Sequence, residues 1–282
     1  MGTQDEQTAL KGFVIRCTVP LAIEDGANQG VQGTGTFFRL GGNPYFVTAR
    51  HVVDNIDFDK VGIPTAPTAL VLRHTADGNP LLLKRAKIQT FGQAILTTPE
   101  DSRHDVAVVL LKDEAFVGAC EQAWTFLTAA NLLGLGDRVA HYIVCGFPVA
   151  CRRETGDSPF FPPLAIRTQS IPPPQDGIAW DSPVDPVTDL FLAYDKKVRR
   201  SGEIVDSPEL PGISGSAVWA VLKDKQGGLW TPETQLKVAG IQVGYCHSRC
   251  IRVKKLVLLA ALFGKIDAAA ADEIRAVVGG SA

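Results

Sequence analysis

Ser214 stands in the stretch Leu210-Pro211-Gly212-Ile213-Ser214-Gly215-Ser216-Ala217-Val218, with a glycine on either side and an apolar run just beyond. A hydroxyl that attacks a carbonyl needs a tight turn to lift its oxygen clear of the backbone, and glycine supplies the dihedrals for such a turn. In that geometry the amides of Gly212 and Ser214 converge where a developing oxyanion would sit. The same residues would equally make an ordinary Gly/Ser turn between strands. Chemistry therefore requires a base and a carboxylate to orient it. Ser216 competes as nucleophile, but the serine framed by the turn, with glycine two before and one after, is Ser214.

Both partners occur upstream. Gly33-Thr34-Gly35-Thr36-Phe37-Phe38 leads through a Gly41-Gly42-Asn43-Pro44 turn into Tyr45-Phe46-Val47-Thr48-Ala49-Arg50-His51-Val52-Val53. Arg103-His104-Asp105-Val106-Ala107-Val108 then sets a carboxylate at the head of an apolar strand. His51 would act as general base toward Ser214, and Asp105 would fix the tautomer of its imidazole. Asp101 is the competing acid, and His104 reads as a surface histidine.

In this order the segments resemble the chymotrypsin-like, or trypsin-like, serine peptidases. The G-T-G-x-F, T-A-x-H, D-x-A-V and G-x-S-G patterns all stand here, 54 residues apart from His51 to Asp105 (105 − 51) and 109 from Asp105 to Ser214 (214 − 105). The resemblance implies an all-β fold of two six-stranded antiparallel Greek-key barrels with a C-terminal helix. It implies a serine endopeptidase that forms an acyl-enzyme through a His51, Asp105, Ser214 triad, with Gly212 and Ser214 as the oxyanion hole. Gln242, Val243 and Gly244 would bind an extended peptide, and Ser207 to Glu209 would contribute to the specificity pocket. A protein or peptide substrate is the expected partner, a regulatory protein is a second one, and no metal or organic cofactor is expected. Ile213 departs from the secreted digestive members, which carry an acid there, so activation by an ion pair to a new N-terminus is not expected. The alternatives are a catalytically silent module that grips peptides and an esterase using the same acyl chemistry.

These residues need a scaffold. At 282 residues, with 45% apolar and 21% charged content, 27 glycines and 18 prolines, the chain suits a turn-rich globular protein. Its net charge of −2 gives no basic surplus to attract nucleic acid or acidic lipid. Acidic residues at the start, Asp5 and Glu6, argue against a secretory signal, and Leu256 to Gly264 is too short to span a bilayer. The expectation is a cytoplasmic protein. Six cysteines in that setting favour free thiols, although Cys246-His247-Ser248-Arg249-Cys250 raises zinc or a loop disulfide as lesser options.

Two units are expected, residues 12–125 with His51 and Asp105, and 135–282 with Ser214 and a helical tail. Residues 1–11 read as a loose tail and Phe13 to Val19 as the first strand. A hairpin over 33–40 and 45–48 follows, then a helical turn at 49–53 and strands at 69–73, 81–90 and 106–112. Glu114 to Leu133 reads as a crossing of undecided structure. Strands are expected at 138–145, 164–170, 189–194, 217–222 and 236–244, and helices over 253–278. Between Pro159 and Pro186 lie 8 of the 18 prolines, so that stretch must be largely loop.

Overall fold

The chain is described by a computed structural model over residues 4–25, 28–54, 61–65, 88–91, 93–99, 104–155, 158–174, 178, 180, 182–200, 203–223 and 230–279. Its strands in the first half are Val19–Asp25 (β1), Asn28–Leu40 (β2), Asn43–Thr48 (β3), Val61–Pro64 (β4), Ile88–Thr90 (β5), Ala94–Thr97 (β6) and Ala107–Leu111 (β7). They form one antiparallel sheet of spatial order β5-β4-β1-β2-β3-β7-β6. The second half supplies Val139–Gly146 (β8), Arg153–Thr155 (β9), Ser158–Phe160 (β10), Leu164–Thr168 (β11), Ser170–Ile171 (β12), Asp189–Ala193 (β13), Lys197–Arg200 (β14), Glu203–Asp206 (β15), Ala217–Leu222 (β16), Leu236–Cys246 (β17) and Cys250–Lys255 (β18). Seven of these make the sheet β11-β8-β16-β17-β18-β13-β12, while β9 with β10 and β14 with β15 are separate hairpins.

Neither sheet closes, and this corrects the expected fold. A barrel requires its first and last strands to pair. Among the described residues the edges of the first sheet are β5 and β6, of three and four residues, and β12 on the second has two. No ladder joins β5 to β6, or β11 to β12, among the described residues. The molecule has two open seven-stranded half-barrels and six α-helices among the described residues, a mixed α/β structure rather than two closed six-stranded Greek-key barrels. The resemblance to the chymotrypsin-like family fails at the level of architecture, and the assignments resting on that architecture fall with it. These are the serine endopeptidase, the trypsin-like triad as a family feature, and the silent module that keeps the two barrels.

The helices show where local pattern misled. Gln4–Arg16 (α1) replaces both the loose tail and the first expected strand. Phe13, Val14 and Cys17 are all buried, a spacing that suits one helical face, and Phe13 meets Trp219 of β16 edge-on at 5.7 Å. Burying such a side chain contributes about 1.5–3 kcal/mol, which favours the helix over a frayed tail. Arg50–Val53 (α2) matches the expected helical turn. Glu114–Ala123 (α3) settles the crossing: Asp113 caps it by accepting from Phe116 N, and Phe116, Val117 and Cys120 face inward. Pro232–Gln235 (α4) is a single turn ahead of β17.

Leu256–Phe263 (α5) and Ala268–Val278 (α6) form the expected helical tail, although β18 occupies its first residues. Asp267 caps α6 through Ala270 N and accepts from Asn43 Nδ2 at 2.8 Å and Tyr45 Oη at 2.6 Å. One carboxylate thus ties the end of the chain to the β2–β3 hairpin. The expected strand at 69–73 and most of that at 81–90 lie outside the described residues. One buried apolar cluster draws on both sheets and the helices, and a smaller one, including Leu210, Ile213 and Val218, lies beneath the Ser214 turn. Among the described residues no helix is long and apolar enough to cross a membrane.

Candidate active site

His51 is aimed outward because its neighbours are held inward. Val52 and Val53 are buried, so the short α2 turn leaves the imidazole half exposed. Asp105 stands two residues ahead of the strand that places it: β7 lies against β3, with Ala107 opposite Thr48. Both carboxylate oxygens serve His51. Asp105 Oδ1 accepts from the His51 backbone N–H at 2.9 Å, and Oδ2 meets the ring Nδ1 at 2.6 Å. With an ionised carboxylate there, Nδ1 carries the proton and Nε2 is left as the basic atom.

Ser214 comes from the second sheet, on the turn leading into β16. Gly212 and Gly215 have φ of 98° and 93°, the left-handed region that L-residues avoid. Ile213 is fully buried in the smaller core, which explains an apolar residue here: it anchors the turn by packing rather than by charge. Within the turn Ile213 N donates to Leu210 O and Ser216 N to Ile213 O. Gly215 N donates to Gln242 O, while Gln242 N donates to Ser216 O.

Thr34 of β2 joins the turn to the first sheet. Its N–H donates to Ser214 O at 2.8 Å and its hydroxyl to Gly212 O at 2.7 Å. Thr48 Oγ1 donates to Thr34 O at 2.6 Å, extending the link to the end of β3. Gly215 fits because it has no side chain: a Cβ there would lie 2.1 Å from Thr34 O and Thr48 Oγ1 and 2.8 Å from Ala49 N. Ala49 is two residues before His51, so the serine turn and the His51–Asp105 pair meet at one seam between the sheets. His51 and Asp105 are joined side chain to side chain, whereas Ser214 is tied to that seam by its backbone carbonyl and by the contacts of Gly212 and Gly215. The turn's carbonyls at 212 and 214 are engaged, and the Gly212 and Ser214 N–H groups take no part in the bonds described above.

The remaining candidates separate clearly. Ser216 is buried, and its Oγ has no hydrogen-bond partner among the described residues, so it is not presented to a substrate. His104 is half-buried rather than a surface residue, with Nδ1 likewise unpartnered among the described residues. Asp101 lies outside them. Gln242 is fully buried and its Nε2 donates to Gly244 O, while Val243 is also buried. The indole of Trp180 lies against Gly244, where a Cβ would come within 3.3 Å of the ring. Ser207 is buried with its hydroxyl on Asp195 O. Glu209 accepts from Tyr245 Oη at 2.7 Å and meets His247 Nδ1 at 3.4 Å. Burial and the Glu209 carboxylate push the Tyr245 phenol up to about 12.

Thr34, Tyr245 and His247 were not singled out in the sequence as parts of the site. Thr34 had a signal, since it sits between two glycines in the segment preceding His51; His247 was marked only as part of the Cys246-to-Cys250 motif, and Tyr245 had none. No group of three or more His, Cys, Asp or Glu side chains able to hold a metal ion occurs among the described residues. All six cysteines are free thiols.

No family model and no curated protein matches the chain. Among solved structures, a chain from work described as "Aromatic interactions drive the coupled folding and binding of the intrinsically disordered Sesbania mosaic virus VPg protein" is similar to it. That likeness covers 86% of this chain and 87% of that one, at 12% identity and a TM-score of 0.41.

Proposed function

We propose that the seam between the sheets is an acyl-transfer site that hydrolyses small carboxylic esters. The observation that carries this reading is the two-point contact of Asp105 with His51, at 2.9 Å to the backbone and 2.6 Å to the ring, beside the Thr34-clamped serine turn. In this reading Nε2 of His51 takes the proton of the Ser214 hydroxyl as its oxygen bonds to the ester carbonyl. The Gly212 and Ser214 N–H groups hold the oxyanion, and collapse expels the alcohol, which receives the proton from His51. Water then repeats the sequence on the acyl-serine.

A small ester, rather than an extended peptide, is favoured by the surroundings. The backbone N–H and C=O of Gln242 are engaged by the serine turn, and Trp180 lies against Gly244. Little ladder edge remains there for a long chain to pair with. A cytoplasmic setting belongs to the same proposal and is supported by the six free thiols.

The test is hydrolysis of a p-nitrophenyl ester followed at the nitrophenolate band. A pre-steady-state burst is expected, with Ser214→Ala abolishing both burst and turnover while circular dichroism stays unchanged. A folded Ser214→Ala variant that turns over at the wild-type rate would sink the reading.

A further inference from the structure

The β17–β18 hairpin turns through His247-Ser248-Arg249, with Ser248 at φ 61°, and sets Cys246 directly opposite Cys250 in the ladder. Opposed residues of an antiparallel pair share a face, with Cβ atoms about 4.5–5.5 Å apart. A disulfide needs Cβ atoms about 3.5–4.5 Å apart. The two ranges differ by about 1 Å, and Cys246 with Cys250 is the last pair of its ladder, where local opening costs least.

The other thiols are placed differently. Burial pushes the thiols of Cys17, Cys120 and Cys145 up to about 12, which suppresses the reactive thiolate. Cys250 is buried and raised to about 11, first by burial and then by the neighbouring Cys246 thiol. Cys246 is half-buried and so within reach of a small oxidant, and Cys151, on the short turn Val149–Cys151, is the other half-buried cysteine. The hairpin therefore pairs an accessible sulfur with a sheltered one, the arrangement of an attacking and a resolving thiol.

We propose that Cys246 and Cys250 form a reversible disulfide under peroxide, making this hairpin a redox modification site. The Cys246 thiolate attacks one peroxide oxygen; an S–O bond forms, the O–O bond breaks and water leaves once protonated. Cys250 sulfur then attacks the sulfenic sulfur of Cys246, forming S–S and breaking S–O, and its proton leaves with the hydroxide as a second water. Two thiols are oxidised by two electrons and one peroxide is reduced to two waters. The inference does not rest on the hydrolytic reading, and its test needs no turnover.

Native protein is treated with hydrogen peroxide, blocked with iodoacetamide under denaturing conditions, and cut with trypsin. Free thiols are expected to fall from six to four (6 − 2), and the peptides separated by cleavage at Arg249 to remain joined until dithiothreitol is added. In Cys250→Ser, dimedone should trap a sulfenic acid at Cys246, and in Cys246→Ser no joined peptides should form. Joining of Cys246 to Cys151, or irreversible sulfinic acid at Cys246 of the unsubstituted protein with Cys250 still free, would overturn the assignment.

Discussion

Thr34 donates its N–H to Ser214 O at 2.8 Å and its hydroxyl to Gly212 O at 2.7 Å, so one residue of the first sheet clamps both sides of a turn 180 positions away (214 − 34). The hydroxyl is the part that substitution can remove without altering shape. Thr34→Val leaves Gly212 O without this bond, and a lost bond in a buried setting costs about 1–3 kcal/mol. At about 2–4 °C per kcal/mol for a chain of this size, differential scanning fluorimetry should show a fall of several degrees. Ester turnover should fall more than that loss of stability accounts for, because the turn is the group being positioned. An unchanged melting temperature and rate would show that the backbone bond suffices.

Gly215 and Gly42 separate two costs that usually travel together. Both have positive φ, 93° and 81°, but a Cβ at 42 meets nothing within 4 Å, whereas one at 215 collides with Thr34 O, Thr48 Oγ1 and Ala49 N. Gly42→Ala should cost the backbone strain alone, about 1–3 kcal/mol. Gly215→Ala adds a backbone clash that only a parting of the sheets relieves, so urea denaturation should show the larger loss. Equal midpoints for the two variants would contradict the close approach at the seam.

The contrast between Thr34 and His51 shows how far the sequence was legible. His51 and Asp105 could be read because each is placed by local pattern: an outward residue before two inward valines, and an acid at the head of an apolar strand. The β2–β3 hairpin was legible for the same reason, through its glycine turn. The clamp by Thr34 was not, since a threonine between glycines has no mark naming a partner so remote. Phe13-Val14-Ile15 has the composition of a strand, and only its burial against Trp219 decides for α1. Sheet closure depends on whether the first and last strands pair, which local periodicity leaves open. In β18, Arg252 and Lys254 look like solvent-facing charges, yet both are buried around Asp189.

Asp105→Asn isolates orientation of the base from its presence. The amide can occupy the same space but can present an N–H to Nδ1, favouring the tautomer whose proton sits on Nε2. Under the proposed hydrolytic role, kcat for the ester should fall by about 10²–10⁴-fold, with KM little changed. Because the pair is partly exposed, the melting temperature should move little. A rate within twofold of the original would remove Asp105 from the mechanism while leaving the fold intact.

The Asp189 cluster predicts an acid limit to stability. Lys254 Nζ lies 2.6 Å and Arg252 Nη2 2.7 Å from the Asp189 carboxylate, and none of the three side chains is more than 3% exposed. Burial works to raise the Asp189 carboxyl, but hydrogen bonds from Arg252 and Lys254 outweigh it and hold the group below its ordinary range. Lys254 is itself held below the usual lysine range, because burial outweighs its bond to Asp189. A carboxyl depressed in the folded state stabilises that state above its unfolded value of about 3.9 and ceases to do so as pH falls through the folded value. The urea midpoint should therefore drop below about pH 4, and Asp189→Asn should flatten that part of the profile. At neutral pH the same substitution leaves two buried cations without their carboxylate, at a cost of about 3–5 kcal/mol. Chemical denaturation of both proteins from pH 2 to 7 measures both effects, and parallel profiles would show that another carboxylate sets the acid limit.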